Sequence, residues 1–131
     1  MNIVIVGTGY VGLVTGVGLA ELGNTVSFID LDTEKIKKLK NKELPFFEPD
    51  LDKYFSKVEN FERMSFHSNY EDLNWDIVEV VFICVQTPNN TKTNSVDTKF
   101  LESAISKIAE LNNKDISITV KSTIPAYEIE N

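Results

Sequence analysis

The first 22 residues, MNIVIVGTGYVGLVTGVGLAEL (residues 1–22), decide the fold, and they hold five of the six glycines in the chain. After Asn2, residues 3–6 are apolar and β-branched, and residues 2–6 are predicted to form a short strand buried on both faces. The helix predicted to follow carries Gly12, Gly16 and Ala20 on one face. Because a face of small residues can lie close against a sheet, the segment predicts a strand, a glycine turn and a tightly packed helix.

The absence of charge in residues 3–20 raises the alternative of a membrane segment or a signal peptide, because the run is about as long as a minimal transmembrane helix. Only Asn2 follows the initiator methionine before this run, whereas a signal peptide carries lysine or arginine there. Each glycine would also weaken a helix by up to about 1 kcal/mol relative to alanine. We therefore predict neither a targeting signal nor a contact with a membrane.

The composition of the chain, with 13 basic and 20 acidic residues among 131, gives a formal net charge of −7. This charge argues against a general attraction to nucleic acid or to anionic lipid. Cys84 is the only cysteine, so neither an internal disulfide nor a cysteine-based zinc cluster can form, and no metal site is predicted. The composition indicates a single cytoplasmic domain, in which any phosphate must be held locally.

Beyond the first helix the sequence alternates between strand and helix patterns. The predicted strands are residues 25–29, 64–67, 77–85 and 116–120. Three helices are predicted: one after an N-cap at Asp32, one over residues 51–58, and one after an N-cap at Asp97. The inward positions of the last helix are Leu101, Ala104, Ile105, Ile108 and Leu111. The alternation predicts an α/β fold: a doubly wound parallel sheet (Rossmann-like) of about five strands, with helices on both faces, in one domain over residues 1–131.

The turn GTGYVG matches the pattern GxGxxG at Gly7, Gly9 and Gly12, between a predicted strand and a predicted helix. Gly7 would permit the tight turn, Gly9 would leave room for a pyrophosphate, and Gly12 would let helix and strand approach each other. The anion would bind amides at the helix N-terminus. Asp30 ends the second strand, where a carboxylate accepts hydrogen bonds from the adenosine ribose and repels a 2′-phosphate. The pattern predicts NAD, rather than NADP, as the cofactor.

Two other interpretations of this turn remain open. The glycines could serve packing alone, with Asp30 a charge at a strand end. FAD-binding proteins use the same first turn, although they usually have a longer chain. The strand–turn–helix context favours the dinucleotide interpretation over both.

Four separated segments of the chain carry a family resemblance. They read IVGTGYVGLVTGVGLAELGNTVSFIDLDTEKIKKLK (residues 5–40), ELPFFEPDLD (43–52), VVFICVQTPNN (80–90) and VKSTIP (120–125). In this order they resemble the amino-terminal NAD-binding domain of the UDP-glucose and GDP-mannose dehydrogenases. The resemblance covers nearly the whole chain.

The resemblance implies further contacts with the cofactor. Tyr10 and Val11 stand between the second and third glycines, as in the cofactor loop of the family. Lys35 would join the carboxylate at the adenosine ribose. Thr87 in VQTP and Thr123 in KSTIP would line the pyrophosphate and nicotinamide end of the cleft. Each of these residues also has a plainer interpretation, as a solvated lysine or as a threonine that satisfies nearby turn amides.

The chain departs from the family pattern in three places. Gln86 replaces the first proline of the usual proline–threonine–proline triplet, and Asp50 stands where the family usually has glycine. After KSTIP, the segment AYEIEN (residues 126–131) replaces the usual valine, glycine and threonine. None of these changes removes a predicted cofactor contact.

The resemblance also implies an activity. Family members oxidise C6 of a nucleotide sugar twice with NAD, for polysaccharide biosynthesis, and use a cysteine nucleophile in a downstream domain. The 131 residues contain no equivalent of that domain or of the long helix through which the family dimerises. Cys84 falls in a predicted buried strand and is not predicted to be catalytic. We expect a full-length homodimer that acts on a nucleotide sugar, and expect this chain to bind NAD as a monomer without turnover.

Two functional alternatives remain. A stand-alone regulatory module that senses NAD or NADH, like the dinucleotide-binding domains attached to potassium channels, fits the length and the glycine turn equally well. The threonines of VQTP and KSTIP, near where a nicotinamide would react, favour the enzyme. Another hydroxyacid dehydrogenase of related fold would differ in the substrate that reacts.

Overall fold

Within residues 1–90 and 95–124, the part of the chain that the computed structural model describes, five parallel strands form the central sheet. These five are β1 (Asn2–Val6), β2 (Thr25–Ile29), β3 (Met64–His67), β4 (Val80–Ile83) and β7 (Ser117–Val120), and two further strands are β5 (Asn89–Asn90) and β6 (Ser95–Val96). The order in the large sheet is β3-β2-β1-β4-β7, and β5 and β6 form a separate antiparallel pair. This order confirms the predicted doubly wound, Rossmann-like fold.

Helices cover both faces of the large sheet. They are α1 (Tyr10–Glu21), α2 (Thr33–Lys40), α3 (Leu51–Phe55), α4 (Val58–Glu62) and α5 (Lys99–Leu111), with 3₁₀ helices at Tyr70–Asp72 and Trp75–Ile77. Ile3 and Ile5 of β1 face the core that α1, α2 and α3 complete, whereas Val4 and Val6 face the core that α5 completes. All four side chains are at most 4% exposed, so β1 is buried on both faces as its composition predicts.

Helix α1 lies unusually close to the sheet because its inner face consists of small residues. A Cβ added at Gly12 would lie 1.9 Å from the carbonyl oxygen of Gly7, and one added at Gly16 would lie 2.3 Å from the ring of Phe28. Ala20 is fully buried on the same face. Only glycine fits at the first two positions, which confirms the small-residue face that the sequence predicts.

The ends of the first two helices follow the predicted signals. Gly23, just after α1, has a φ of +90°, and the amide of Gly23 donates to the carbonyl oxygen of Ala20 at 2.9 Å. Asp32 caps α2, since its carboxylate accepts hydrogen bonds from the amides of Glu34 and Lys35, each at 3.1 Å. The connection between β2 and α2 is therefore short and well defined.

The fourth strand is shorter than the sequence predicts. The strand is predicted over residues 77–85, but only Val80–Ile83 forms it, and Ile77 belongs to the 3₁₀ helix Trp75–Ile77. The indole N–H of Trp75 donates to the carbonyl oxygen of Tyr70 at 2.9 Å, and this bond ties the 3₁₀ helix to the chain before it. The polar loop after β4 also contains the unpredicted pair of β5 and β6.

Two predicted helices differ in detail. The helix predicted over residues 51–58 is broken at Ser56 and Lys57, which separate α3 from α4. The N-cap of α5 is Thr98, although the Asp97 carboxylate does accept a hydrogen bond from the amide of Lys99 at 3.1 Å. Ile105 was predicted to point inward but is 40% exposed, because it lies beside, not on, the buried stripe. The buried stripe of α5 is Leu101, Ala104 and Ile108.

Asp50 adopts the left-handed backbone conformation, with a φ of +63°. This is the position at which the resemblance implies glycine, which enters that conformation without steric cost. Aspartate is one of the few other residues that tolerates it. The departure from the family pattern therefore leaves the turn before α3 intact.

Of the helices that the structure describes, none is long and apolar enough to cross a membrane. The segment AYEIEN lies outside the described residues.

Replacing Gly16 by alanine is expected to lower the free energy of unfolding by about 1–3 kcal/mol, because the new methyl group would overlap the Phe28 ring in a filled core. Gly18 is the matched control, since it lies on the exposed side of α1, where no described atom would lie within 4 Å of a new Cβ. Gly18→Ala is expected to raise the free energy of unfolding by up to about 1 kcal/mol. Urea unfolding measures both changes, and equal effects would contradict the close approach of α1.

Candidate dinucleotide-binding site

A cleft of about 260 Å³ opens at the carboxyl ends of β1, β2 and β4. Strand β1 lies between β2 and β4, so the chain order reverses here, and open α/β sheets bind ligands at such points. The lining residues come from the glycine turn, the end of β2, the start of α2, the end of β4, α5 and one 3₁₀ helix: Val6, Gly7, Thr8, Gly9, Ile29, Asp30, Leu31, Lys35, Tyr70, Cys84, Val85, Gln86, Phe100, Ser103 and Ala104.

The glycine turn brings the N-terminus of α1 to the mouth of this cleft. Gly7 has a φ of +99°, and its amide donates to the carbonyl oxygen of Ile29 at 2.8 Å. A Cβ at Gly7 would lie 2.6 Å from the carbonyl oxygen of Cys84, so both the backbone angle and the neighbouring strand require glycine.

Gly9 is the N-cap of α1 and differs from the other two glycines of the motif. Its backbone is extended, with a φ of −77°, and no described atom would lie within 4 Å of a Cβ built there. Glycine supplies no side-chain cap, and the first-turn amides of an α-helix have no partner within the helix. The site therefore combines amide donors, the positive end of a helix dipole and open space, which together suit a diphosphate.

The Asp30 carboxylate stands beside the turn, held by three hydrogen bonds. Its Oδ2 accepts from the amide of Thr8 at 2.9 Å and from the hydroxyl of Thr8 at 2.6 Å. Its Oδ1 accepts from the amide of Asp32 at 3.0 Å. Lys35 Nζ lies 3.8 Å from Oδ2. The side chain of Asp30 remains 15% exposed, so a ligand in the cleft can reach it.

The pKa of Asp30 lies below its ordinary value. Burial acts against ionisation, but the hydrogen bonds from Thr8 and Asp32 and the nearby Lys35 charge outweigh it and lower the pKa. Asp30 is therefore a carboxylate at neutral pH. A fixed carboxylate of this kind can accept a hydrogen bond from a ribose hydroxyl and repels a phosphate.

Tyr10 and Val11 lie on the outer side of the first turn of α1, and each is about half exposed. The lining residues that the structure describes include neither. The ring of Tyr10 stacks on Phe46, with 4.0 Å between the ring centroids. The stack connects the start of α1 to the ELPFFEPDLD segment. Through the backbone of the first turn, both residues can still present amides to an anion.

Thr87 and Thr123, which the resemblance implies line the pyrophosphate and nicotinamide end of the cleft, contact each other in the structure. The hydroxyl of Thr87 donates to the carbonyl oxygen of Thr123 at 2.7 Å, joining the segments that follow β4 and β7. Neither is among the described lining residues, whereas the neighbouring Gln86 is. The two threonines therefore lie at the far side of β1 from Asp30, beyond the cleft itself.

Several lining residues were missed by the sequence analysis. Thr8 occupies a variable position of the GxGxxG pattern, and its contact with Asp30 spans 22 residues of chain. Phe100, Ser103 and Ala104 line the cleft from α5. Their spacing of three and four residues marks one helix face, which a search for a cleft-facing stripe could have found.

Cys84 lines the cleft but is not an activated thiol. Burial raises the pKa of Cys84 to about 11, and the charge of Lys121 only partly opposes this. His67 lies outside the described lining; its Nε2 is 2.9 Å from the Ser65 hydroxyl oxygen, and burial lowers the pKa of the ring. Among residues 1–90 and 95–124, no group of three His, Cys, Asp or Glu side chains is placed to hold a metal ion.

The model of the UDP-glucose/GDP-mannose dehydrogenase family, NAD-binding domain, matches residues 1–131. The UDP-glucose 6-dehydrogenase of Rickettsia bellii is 42% identical over 131 residues, which are 100% of this chain and 30% of that protein. The chain thus spans about a third of the length of the curated relatives it matches.

Solved structures agree with this match. A ternary complex of GDP-mannose dehydrogenase from Pseudomonas aeruginosa has a TM-score of 0.89 at 27% identity, covering 100% of this chain and 30% of that one. A UDP-D-ManNAc dehydrogenase from Pyrococcus horikoshii has a TM-score of 0.88 at 32% identity, covering 99% and 30% respectively.

The raised pKa of Cys84 predicts slow alkylation of the folded chain. At pH 7.5 the thiolate fraction is expected to be about a hundredfold lower than for a cysteine with the ordinary pKa of 9.0, because each pKa unit changes it tenfold. The rate of iodoacetamide labelling in the native chain and in urea, followed by mass spectrometry, measures the ratio. Native labelling as fast as that in urea would show that Cys84 is an activated, accessible thiol.

Proposed function

This chain belongs to the UDP-glucose/GDP-mannose dehydrogenase family as its NAD-binding domain, and we propose that it serves an enzyme that oxidises C6 of a nucleotide sugar to the carboxylate. NAD supplies the chemistry by accepting a hydride in each of the two oxidation steps. The role of these residues is to bind and orient the cofactor. The observation that carries the proposal is the fixed Asp30 carboxylate beside the open space at Gly9.

The described residues fit each part of NAD. The diphosphate would lie against the first-turn amides of α1, where Gly9 leaves space and the helix dipole favours an anion. The adenosine ribose would lie beside Asp30 and Lys35, which are 3.8 Å apart. Leu31 and Phe100 also line the cleft and would offer apolar surface to the adenine.

The nicotinamide would lie on the other side of β1. Thr87 and Thr123 follow β4 and β7, and the order of strands places these ends opposite Asp30 across β1. The Thr87 hydroxyl uses its proton in the bond to Thr123, but its oxygen can still accept. It can therefore receive a hydrogen bond from the amide group of a nicotinamide.

We expect the 131 residues to bind NAD without oxidising a nucleotide sugar. The thiol in the cleft, Cys84, is kept neutral by burial, so it is unsuited to attack an aldehyde at neutral pH. Binding and chemistry would then be divided between this domain and further parts of the protein.

Gly9→Ala is expected to raise the Kd for NAD at least about tenfold, because the new methyl group meets no described atom but fills the space left for the diphosphate. The unfolding midpoint should fall only slightly, because alanine is a poorer N-cap than glycine. Gly18→Ala makes the same chemical change on α1 at another open position, away from the cleft. It is expected to bind NAD as the unmodified chain does. Isothermal titration calorimetry measures all three affinities.

Failure of the unmodified chain to bind NAD would overturn the proposal. Normal binding by Gly9→Ala would place the diphosphate elsewhere than the first turn of α1.

Incubation of the chain with NAD and UDP-glucose is expected to form no NADH, as judged by absorbance, because no activated thiol is present among the described residues of the cleft. A full-length UDP-glucose 6-dehydrogenase assayed alongside provides the positive control. NADH formation by the 131-residue chain would contradict the proposed division between binding and chemistry.

A further inference from the structure

Thr8, between the first two glycines of the turn, is polar and fully buried. Both its amide and its hydroxyl donate to the same oxygen of Asp30, Oδ2, at 2.9 and 2.6 Å. We propose that Thr8 is a positioning residue that locks the Asp30 carboxylate, so that one acceptor site on Oδ1 is left for the adenosine ribose and the preference for NAD over NADP is strengthened. This inference rests on the proposed NAD-binding function.

The number of acceptor sites on the carboxylate leads to this conclusion. Each carboxylate oxygen can accept about two hydrogen bonds. Oδ2 receives both of its bonds from Thr8, and Oδ1 receives one from the amide of Asp32 at 3.0 Å. A single acceptor site on Oδ1 is therefore left for a ligand.

Lys35 can supply the second contact with a ribose. Its Nζ lies 3.8 Å from Oδ2, and its side chain is 34% exposed and lines the cleft. An ammonium group has three donors, so it can bind a hydroxyl oxygen of the ribose while staying near Asp30. One hydroxyl of a ribose can then donate to Oδ1 of Asp30, and the other can accept from Nζ of Lys35.

A 2′-phosphate is disfavoured at this position for two reasons. At neutral pH it cannot donate a hydrogen bond to Oδ1 of Asp30, and its negative charge is repelled by the carboxylate. Without the Thr8 hydroxyl, the Asp30 carboxylate could turn toward Lys35 and leave the ribose position. The hydroxyl bond at 2.6 Å opposes that rotation, since it fixes Oδ2 against the turn.

Three variants separate the Thr8 hydroxyl from the rest of the side chain. Thr8→Val keeps the shape and removes the hydroxyl, whereas Thr8→Ser keeps the hydroxyl and removes the methyl group. Thr8→Ala differs from Thr8→Ser only in lacking the hydroxyl, so this comparison also isolates the hydroxyl. The backbone amide bond to Asp30 is present in all of them.

Thr8→Val and Thr8→Ala are expected to raise the Kd for NAD about fivefold to tenfold. The ratio of the Kd for NADP to that for NAD should fall by a similar factor, and Thr8→Ser should keep both values near those of the unmodified chain. Calorimetric titration with each nucleotide measures them, on variants whose circular dichroism shows the native fold. Weaker binding by Thr8→Ser than by Thr8→Val would overturn the inference, because packing of the methyl group would then be the role of Thr8.

A double-mutant cycle tests whether Thr8 acts through Asp30. In the Asp30→Ala background, adding Thr8→Val is expected to cause no further loss of NAD affinity. Additive losses would show that Thr8 contacts NAD directly and would contradict a positioning role. If the unmodified chain binds no NAD, the proposed function fails; if it binds NAD and Thr8→Val has the same affinity and selectivity, only this inference fails.

Discussion

The close approach of α1 to the sheet is the constraint on which the rest of the structure depends. Gly12 lies against the carbonyl group of Gly7, and Gly16 lies against the ring of Phe28, with no room for a side chain at either position. Because the helix starts directly after β1 and stays against it, its N-terminus lies at the carboxyl end of the central strand. The same small residues that pack the core therefore also place the first-turn amides at the cleft.

Local electrostatics explain how a chain with a net charge of −7 can hold a doubly charged diphosphate. The positive potential at a helix N-terminus acts within about one turn. An anion bound there is therefore attracted mainly by the nearby amides and only weakly affected by the net charge of the whole chain. Asp30, the negative group of the cleft, is neutralised in part by Lys35 and by three donors from the chain. The cleft thus attracts an anion at the glycine turn and offers the Asp30 carboxylate as a hydrogen-bond acceptor for a ribose hydroxyl.

The sequence predicts those features of the fold that depend on neighbouring residues. The apolar, β-branched run of β1, the small-residue face of α1 and the cap at Asp32 are all local patterns, and the structure confirms them. The 3₁₀ helix before β4 was not predicted, because the bond between the Trp75 indole and the carbonyl group of Tyr70 is not visible as a sequence pattern. The hydrogen bond between the Thr8 hydroxyl and the Asp30 carboxylate could not be predicted from the sequence either. It forms only because the sheet brings together the ends of β1 and β2, which are 22 residues apart in the chain.

The three glycines of the motif are alike in sequence but subject to different physical demands. Gly7 has a positive φ angle, and a Cβ built there would lie 2.6 Å from the Cys84 carbonyl oxygen. Gly12 is required because a Cβ there would overlap the carbonyl group of Gly7. Gly9 alone has an ordinary angle and open surroundings among the described atoms. Contacts and backbone angle account for glycine at the first and third positions, whereas at the second glycine suits the N-cap of α1 and leaves open space in front of the helix. The turn therefore combines tight packing at Gly7 and Gly12 with an accessible helix N-terminus at Gly9, which is the arrangement that suits an anion.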